Sequence, residues 1–199
     1  SDDQPSTVLL AFYLRYPNPH ATHVLSCDVI SRKVDPVRGA ITTQRLILKK
    51  GIVPRWARSW LENWGMMGGG GLEAWVLEES EVGHFACPGK DVTIDPSTNQ
   101  PVLTSMTRNI SHKKIIHIAE GIEFHPTASG SRGTIQKTTA YVSSNFGSGS
   151  GLSALVRGRI EQYGASRFER NAKNAREGMS LILSLLRNYE PLPHTSEAE

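Results

Sequence analysis

The chain has 199 residues, 38% of them hydrophobic, and a net charge of +3 from 22 Lys+Arg against 19 Asp+Glu. That is enough for one domain with one modest core, and too little charge to argue for nucleic acid. No stretch approaches the ~20 apolar residues of a membrane-spanning helix; Cys27 and Cys87, far apart and outside any CxxC, exclude a disulfide scaffold and a zinc ribbon.

The polar, acidic start at Ser1-Asp2-Asp3 has no apolar run after a basic segment, so no secretory signal is expected. Leu9, Phe12, Tyr13 and Tyr16 fit helical spacing, which predicts a first helix over Ser6–Tyr16, capped by Ser6 and ended by Pro17 and Pro19. His23–Val34 and Ile41–Lys50 read as strands of a hairpin, with the turn at Asp35–Ala40. In the second strand Ile41, Thr43, Arg45, Ile47 and Lys49 share one face, and Thr42, Gln44, Leu46 and Leu48 the other.

Ile52–Trp64 reads as a short amphipathic helix with Trp56, Trp60 and Trp64 one turn apart, followed by a glycine-rich connector. Glu73–Val82, Leu103–Ile110, Ile115–Phe124 and Arg132–Ser144 are further strands. Six strands in succession without intervening crossover helices predict an antiparallel meander. After a second glycine-serine stretch, Leu152–Leu186 carries an apolar stripe and reads as one long helix of about 50 Å. Residues 1–190 form one domain on this reading, and 191–199 a disordered tail. The architecture expected is α+β, a curved antiparallel sheet gripping a long C-terminal helix, with room between them for an apolar cavity.

Several side chains stand out. Arg45 and Lys49 share a face with two isoleucines. If that face points inward, two buried cations need an anion such as phosphate; if the Leu46/Leu48 face is the core, they are solvated, and periodicity alone favours this second reading. Arg15 ends a helix at Pro-Asn-Pro, where it either satisfies the last carbonyls or is pinned for bidentate phosphate binding. The tryptophans are equally consistent with core packing and with a membrane interface. His112, His117 and His125 have no metal-ligand spacing. Gly147–Gly151 precedes a helix but lacks the full GxGxxG pattern, and a linker fits it better. Neither GxSxG nor HExxH occurs, so no catalytic residue is assigned.

Arg15-Tyr16-Pro17-Asn18-Pro19, followed by His23-Val24-Leu25-Ser26 and Asp28, closely resembles the PRELI-like lipid-transfer proteins of the mitochondrial intermembrane space. Thr42, Thr43, Arg45 and Leu46, then Pro54 and Trp56, Arg108-Asn109 with Ser111-His112, Val142-Ser143-Ser144, and Arg167-Phe168, Asn171, Lys173 and Gly178-Met179 extend the resemblance over about residues 6 to 187. It departs from the family in three places: the first strand usual there is not recognisable, leaving six strands where the family has seven; the tetraglycine and Gly-Ser-Gly-Ser-Gly stretches are longer or blander than the family's; and Tyr163 stands where a Trp is common.

The resemblance implies a lidded lipid pocket and transfer of an anionic phospholipid between the outer and inner mitochondrial membranes. Phosphatidic acid, in support of cardiolipin synthesis, is the cargo favoured; phosphatidylserine, carried by a sister branch, and a helix-grip ligand-binding enzyme are the alternatives. Under this resemblance Arg15, His23, Arg45 and Lys49 bind the lipid phosphate. Ile52, Val53, Pro54, Trp56, Trp60 and Trp64 form the lid that touches membrane, and Arg167 and Lys173 meet anionic lipid surfaces. The implied partner is a small helical protein with twin Cys-x9-Cys motifs. No metal, cofactor or nucleic acid is expected.

Overall fold

The structure, a computed structural model, describes residues 2–51, 56–58, 72–83, 102–127, 133–147 and 151–189. The sequence elements appear in the expected order. Helix α1 (Pro5–Leu14) is followed by strands β1 (Val24–Asp35), β2 (Ala40–Gly51), β3 (Leu72–Val82), β4 (Leu103–Asn109), β5 (His117–Pro126) and β6 (Thr134–Ser143), then by helix α2 (Gly151–Arg187). The six strands form one antiparallel sheet in sequence order, β1-β2-β3-β4-β5-β6. A meander needs only local returns of the chain, which is why alternating apolar residues and turn signals were sufficient to predict it.

Two local expectations are corrected. Ser6 does not cap α1. Gln4 stands at the N-cap without a side-chain hydrogen bond, and Pro5 opens the helix, because proline has no N–H to leave unsatisfied there. Strand β5 begins at His117, since residues 111–115 turn, with His112 at φ 61°. The Arg-Asn-x-x-His step builds this turn. Buried Asn109 donates to the carbonyls of Ser111 (2.7 Å) and Ile116 (2.9 Å) and accepts from the Ile118 N–H (2.8 Å).

The core lies at one end of the sheet. Val8, Ala11 and Phe12 of α1 pack with Val102, Leu103, Phe124 and Leu183, and the rings of Phe12 and Phe124 meet edge to face at 5.9 Å. Both helices therefore lie on the same face of the sheet. Helix α2 approaches its neighbours closely at two glycines. A Cβ at Gly164 would stand 2.8 Å from Val142, and one at Gly178 would stand 2.8 Å from the Asn18 side chain. About 21 Å of helix axis separates them, and between them Phe168, Ala172 and Ala175 face a gap over the sheet.

Of the expected lid, residues 56–58 are helical, with Ala57 buried and Trp56 exposed. Ile52, Val53, Pro54, Trp60 and Trp64 lie outside the described residues, as does the tail 191–199. No helix among the described residues is long and apolar enough to cross a membrane.

Candidate functional site

The inner face of β2 is the one that carries Thr43, Arg45 and Ile47; all three are buried, whereas Leu46 and Leu48 are not. This corrects the expectation from periodicity alone. The reason lies across the strand pairing. Arg45 stands opposite Glu78 on β3, and Glu78 opposite Thr107 on β4, which faces Glu120 on β5. Directly opposed residues share a face, so a polar row crosses the concave side of the sheet. A second row, Thr43, Ser80 and Ser105, runs beside it.

Glu78 is fully buried and lies between two guanidiniums. Arg45 donates from Nε to Glu78 at 2.7 Å and from a terminal nitrogen to the Tyr13 carbonyl at 3.2 Å. Arg15 pairs with the other carboxylate oxygen and also donates to the Phe12 carbonyl at 2.9 Å. The helix-end role and the ligand-facing role of Arg15 are thus compatible: it closes α1, stacks over the Phe12 ring at 3.8 Å, and still lines the cavity. Burial works against the Glu78 charge but is outweighed by Arg15 and Arg45, so its pKa is lowered from the ordinary value. Burial likewise opposes the Arg15 charge and is outweighed, chiefly by Glu78, so that its pKa is raised.

The Pro-Asn-Pro loop fixes Arg15 from behind. The Asn18 amide donates to the Arg15 carbonyl, and its Oδ1 accepts from the His20 N–H at 2.8 Å. The Tyr16–Pro17 peptide is cis.

Between α2 and β5–β6 lies a cavity of about 480 Å³. Phe12, Ile122, Phe124, Phe168 and Met179 give it apolar walls, and Arg15, Glu120, Glu169 and Arg176 bring charge to it. Its size falls within the usual range of ligand pockets, roughly 300–1,000 Å³. Of the four residues expected at the phosphate, Arg15 is in the cavity wall. Arg45 is 3% exposed and lies behind it, committed to Glu78. His23 and Lys49 form a neighbouring group with Arg167. Burial, then the fields of Lys49 and Arg167, push the His23 imidazole down to about 4, so it is neutral at pH 7. Lys49 and Arg15 also act on Glu120, whose pKa burial raises. Around this end of the sheet Arg15, Arg45, Lys49 and Arg167 outnumber Glu78 and Glu120, an excess of positive charge suited to an anion. Lys173 is exposed on α2.

Sequence reasoning missed Glu78 and Glu120. The available signal was the alternation Val76, Glu78, Ser80, Val82 in a strand paired to β2; a carboxylate amid an inward pattern is the counter-ion that two inward cations require. No group of metal-ligating side chains occurs among the described residues.

The chain matches the PRELI-like family over residues 6–84 and 89–189. It is 30% identical to Protein UPS1, mitochondrial, of Saccharomyces cerevisiae, over 91% of this chain and 87% of that protein. Identity to the Protein ups1 homolog of Schizosaccharomyces pombe is 32%, over 89% of this chain and 87% of that protein. PRELI domain-containing protein 1, mitochondrial, of Homo sapiens is 29% identical over 92% of this chain and 72% of its own length.

Proposed function

The chain belongs to the PRELI-like family, and from that premise we propose that it is a mitochondrial lipid-transfer protein that carries phosphatidic acid between the outer and inner membranes through the intermembrane space. The observation that carries this reading is the cavity between α2 and the sheet, apolar along its walls and cationic where Arg15 enters.

Removing a two-chain lipid from a bilayer exposes acyl chains at ~0.8 kcal/mol per CH₂, on the order of 25 kcal/mol for chains of about 16 carbons. An apolar cavity offsets that cost. The phosphate also loses water and needs fixed donors. Arg15 supplies N–H groups not used by Glu78 or the Phe12 carbonyl, Lys49 supplies an ammonium, and neutral His23 supplies one ring N–H. Arg45 holds Glu78, and through it Arg15, in place. The segment around Trp56 serves as lid, and Arg167 and Lys173 draw the carrier to anionic surfaces. A small twin Cys-x9-Cys protein is its partner on this reading. It works by binding and release, without chemistry on the lipid.

The test is transfer of fluorescent lipids between liposomes under conditions that exclude fusion. Phosphatidic acid is expected to move, phosphatidylserine more slowly and phosphatidylcholine little. Arg15→Lys, which keeps the charge but loses the fork, is expected to slow transfer, and Arg15→Glu to abolish it while liposome binding persists. Equal transfer of phosphatidylcholine would sink the anionic-site reading.

A further inference from the structure

Glu120 is a cavity-lining charge, carried by the sheet, that the proposed transfer leaves without a use. It lies on β5 in the same row as Arg45 and Glu78, with Thr107 opposite on β4 and Ala140 opposite on β6. Neither neighbour carries charge. Glu78, the other carboxylate of the row, is held by two guanidiniums. Glu120 has no hydrogen bond or ion pair among the described residues, and it lines the cavity together with Arg15. Lys49 and Arg15 attract it only from a distance. A part-buried carboxylate without a donor is an unfilled demand for one.

A ligand meets that demand in one of two ways. A headgroup with an ammonium beside its phosphate places the phosphate on the cations and the ammonium on Glu120. A bare phosphomonoester has no ammonium and carries nearly two negative charges at neutral pH, so it brings like charge towards the carboxylate. We propose that Glu120 is the headgroup-discriminating residue of this site, favouring a phospholipid that brings an ammonium over phosphatidic acid and so restraining the preference that the cations alone would set. This rests on the lipid-carrier reading above and refines which anionic lipid that carrier selects.

Neutralising Glu120 removes the restraint. Burial raises its pKa, so lowering the pH shifts the wild type towards the neutral state that Glu120→Gln holds at every pH. The other charged groups facing this region are Arg15 after α1, Lys49 on β2, Glu78 on β3, and Glu169, Arg176 and Arg167 on α2. His23 also titrates there, but around 4. The pH scan therefore stays above 5, where His23 remains neutral. Because phosphatidic acid itself gains a proton in this range, Glu120→Gln scanned in parallel supplies the lipid's own contribution.

The experiment is competitive extraction from liposomes containing equal phosphatidic acid and phosphatidylserine, with bound lipid counted by mass spectrometry. Wild type, Glu120→Gln and Glu120→Asp are compared between pH 5 and 8. At neutral pH the ratio of phosphatidic acid to phosphatidylserine is expected to rise roughly tenfold in Glu120→Gln, the size of effect a charge contact in a closed site produces. Glu120→Asp should stay near wild type. The gap between the wild-type ratio and that of Glu120→Gln should narrow, not widen, as the pH falls. A ratio unchanged or lowered in Glu120→Gln overturns the proposal while leaving the carrier reading intact. If the wild type extracts neither lipid, the carrier reading fails and this proposal with it.

Discussion

Glu78 holds two arginines where the fold would otherwise bury two uncompensated cations. Glu78→Gln leaves both guanidiniums in place and removes the charge they share, which is expected to cost about 3–5 kcal/mol in urea unfolding. Either single arginine change leaves Glu78 one partner and should cost less. Because the Glu78 pKa is depressed in the fold, its stabilisation is complete above the ordinary carboxylate pKa and is lost as pH falls through the depressed value. His23 acts in the same direction at higher pH. Its folded pKa of about 4 lies below the ordinary 6.5, so the unfolded chain takes up a proton first, and stability falls as pH drops from 6.5 towards 4. Thermal melting followed from neutral pH to below the ordinary carboxylate pKa should therefore weaken in two stages, the first removed by His23→Gln and the second by Glu78→Gln. At this scale the sequence was ambiguous. Strand β2 has apolar residues on both faces, and what decides between them, the anion at Glu78, lies on another strand and is assigned only by register.

Helix α2 touches the rest of the fold closely where it has no side chain to interfere. At Gly178 the neighbour is Asn18, whose amide and carbonyl oxygen are both engaged in holding the loop behind Arg15. Asn18 therefore cannot turn aside for a methyl group. Gly178→Ala is expected to cost about 1–3 kcal/mol by overpacking and to impair lipid transfer as well, because the displaced loop carries Arg15. At Gly164 the nearest atoms belong to the Val142 and Ile116 side chains, which take no part in the loop behind Arg15, so Gly164→Ala should overpack the helix yet leave transfer nearer normal. Equal effects of the two changes on transfer would contradict this account. The helix itself was legible, since its apolar stripe runs its whole length. So were the six strands, whose limits shift by at most two residues. The glycine contacts were not legible, because a glycine inside a helical pattern does not announce which distant loop it meets. Nor was the capping of α1, where Pro5 at the first turn took the place expected of Ser6.

Considered whole, the molecule packs tightly under α1 and keeps a cavity under the middle of α2. Phe12, Val102, Leu103, Phe124 and Leu183 fill the space under α1, and Asp3 fastens the N-terminal segment to the last turn of α2 through two hydrogen bonds to Arg187, at 2.6 and 2.7 Å. Between Phe168 and Met179 the same helix spans a cavity of about 480 Å³. Apolar walls that face a cavity forgo the contacts that packed neighbours would supply. A fold that keeps such a space retains it for a ligand or forgoes stability without return. Ala172 separates the two cases, because it lines the cavity from α2 at a position between the two glycine contacts. Ala172→Phe would extend a ring into the gap without displacing either contact. If the cavity holds the acyl chains, this change should raise the melting temperature or leave it unchanged, while lipid co-purified with the protein falls severalfold. Liposome binding should persist, since the exposed cations of α2 are untouched. A variant that melts earlier and still carries its full complement of lipid would place the acyl chains outside this cavity.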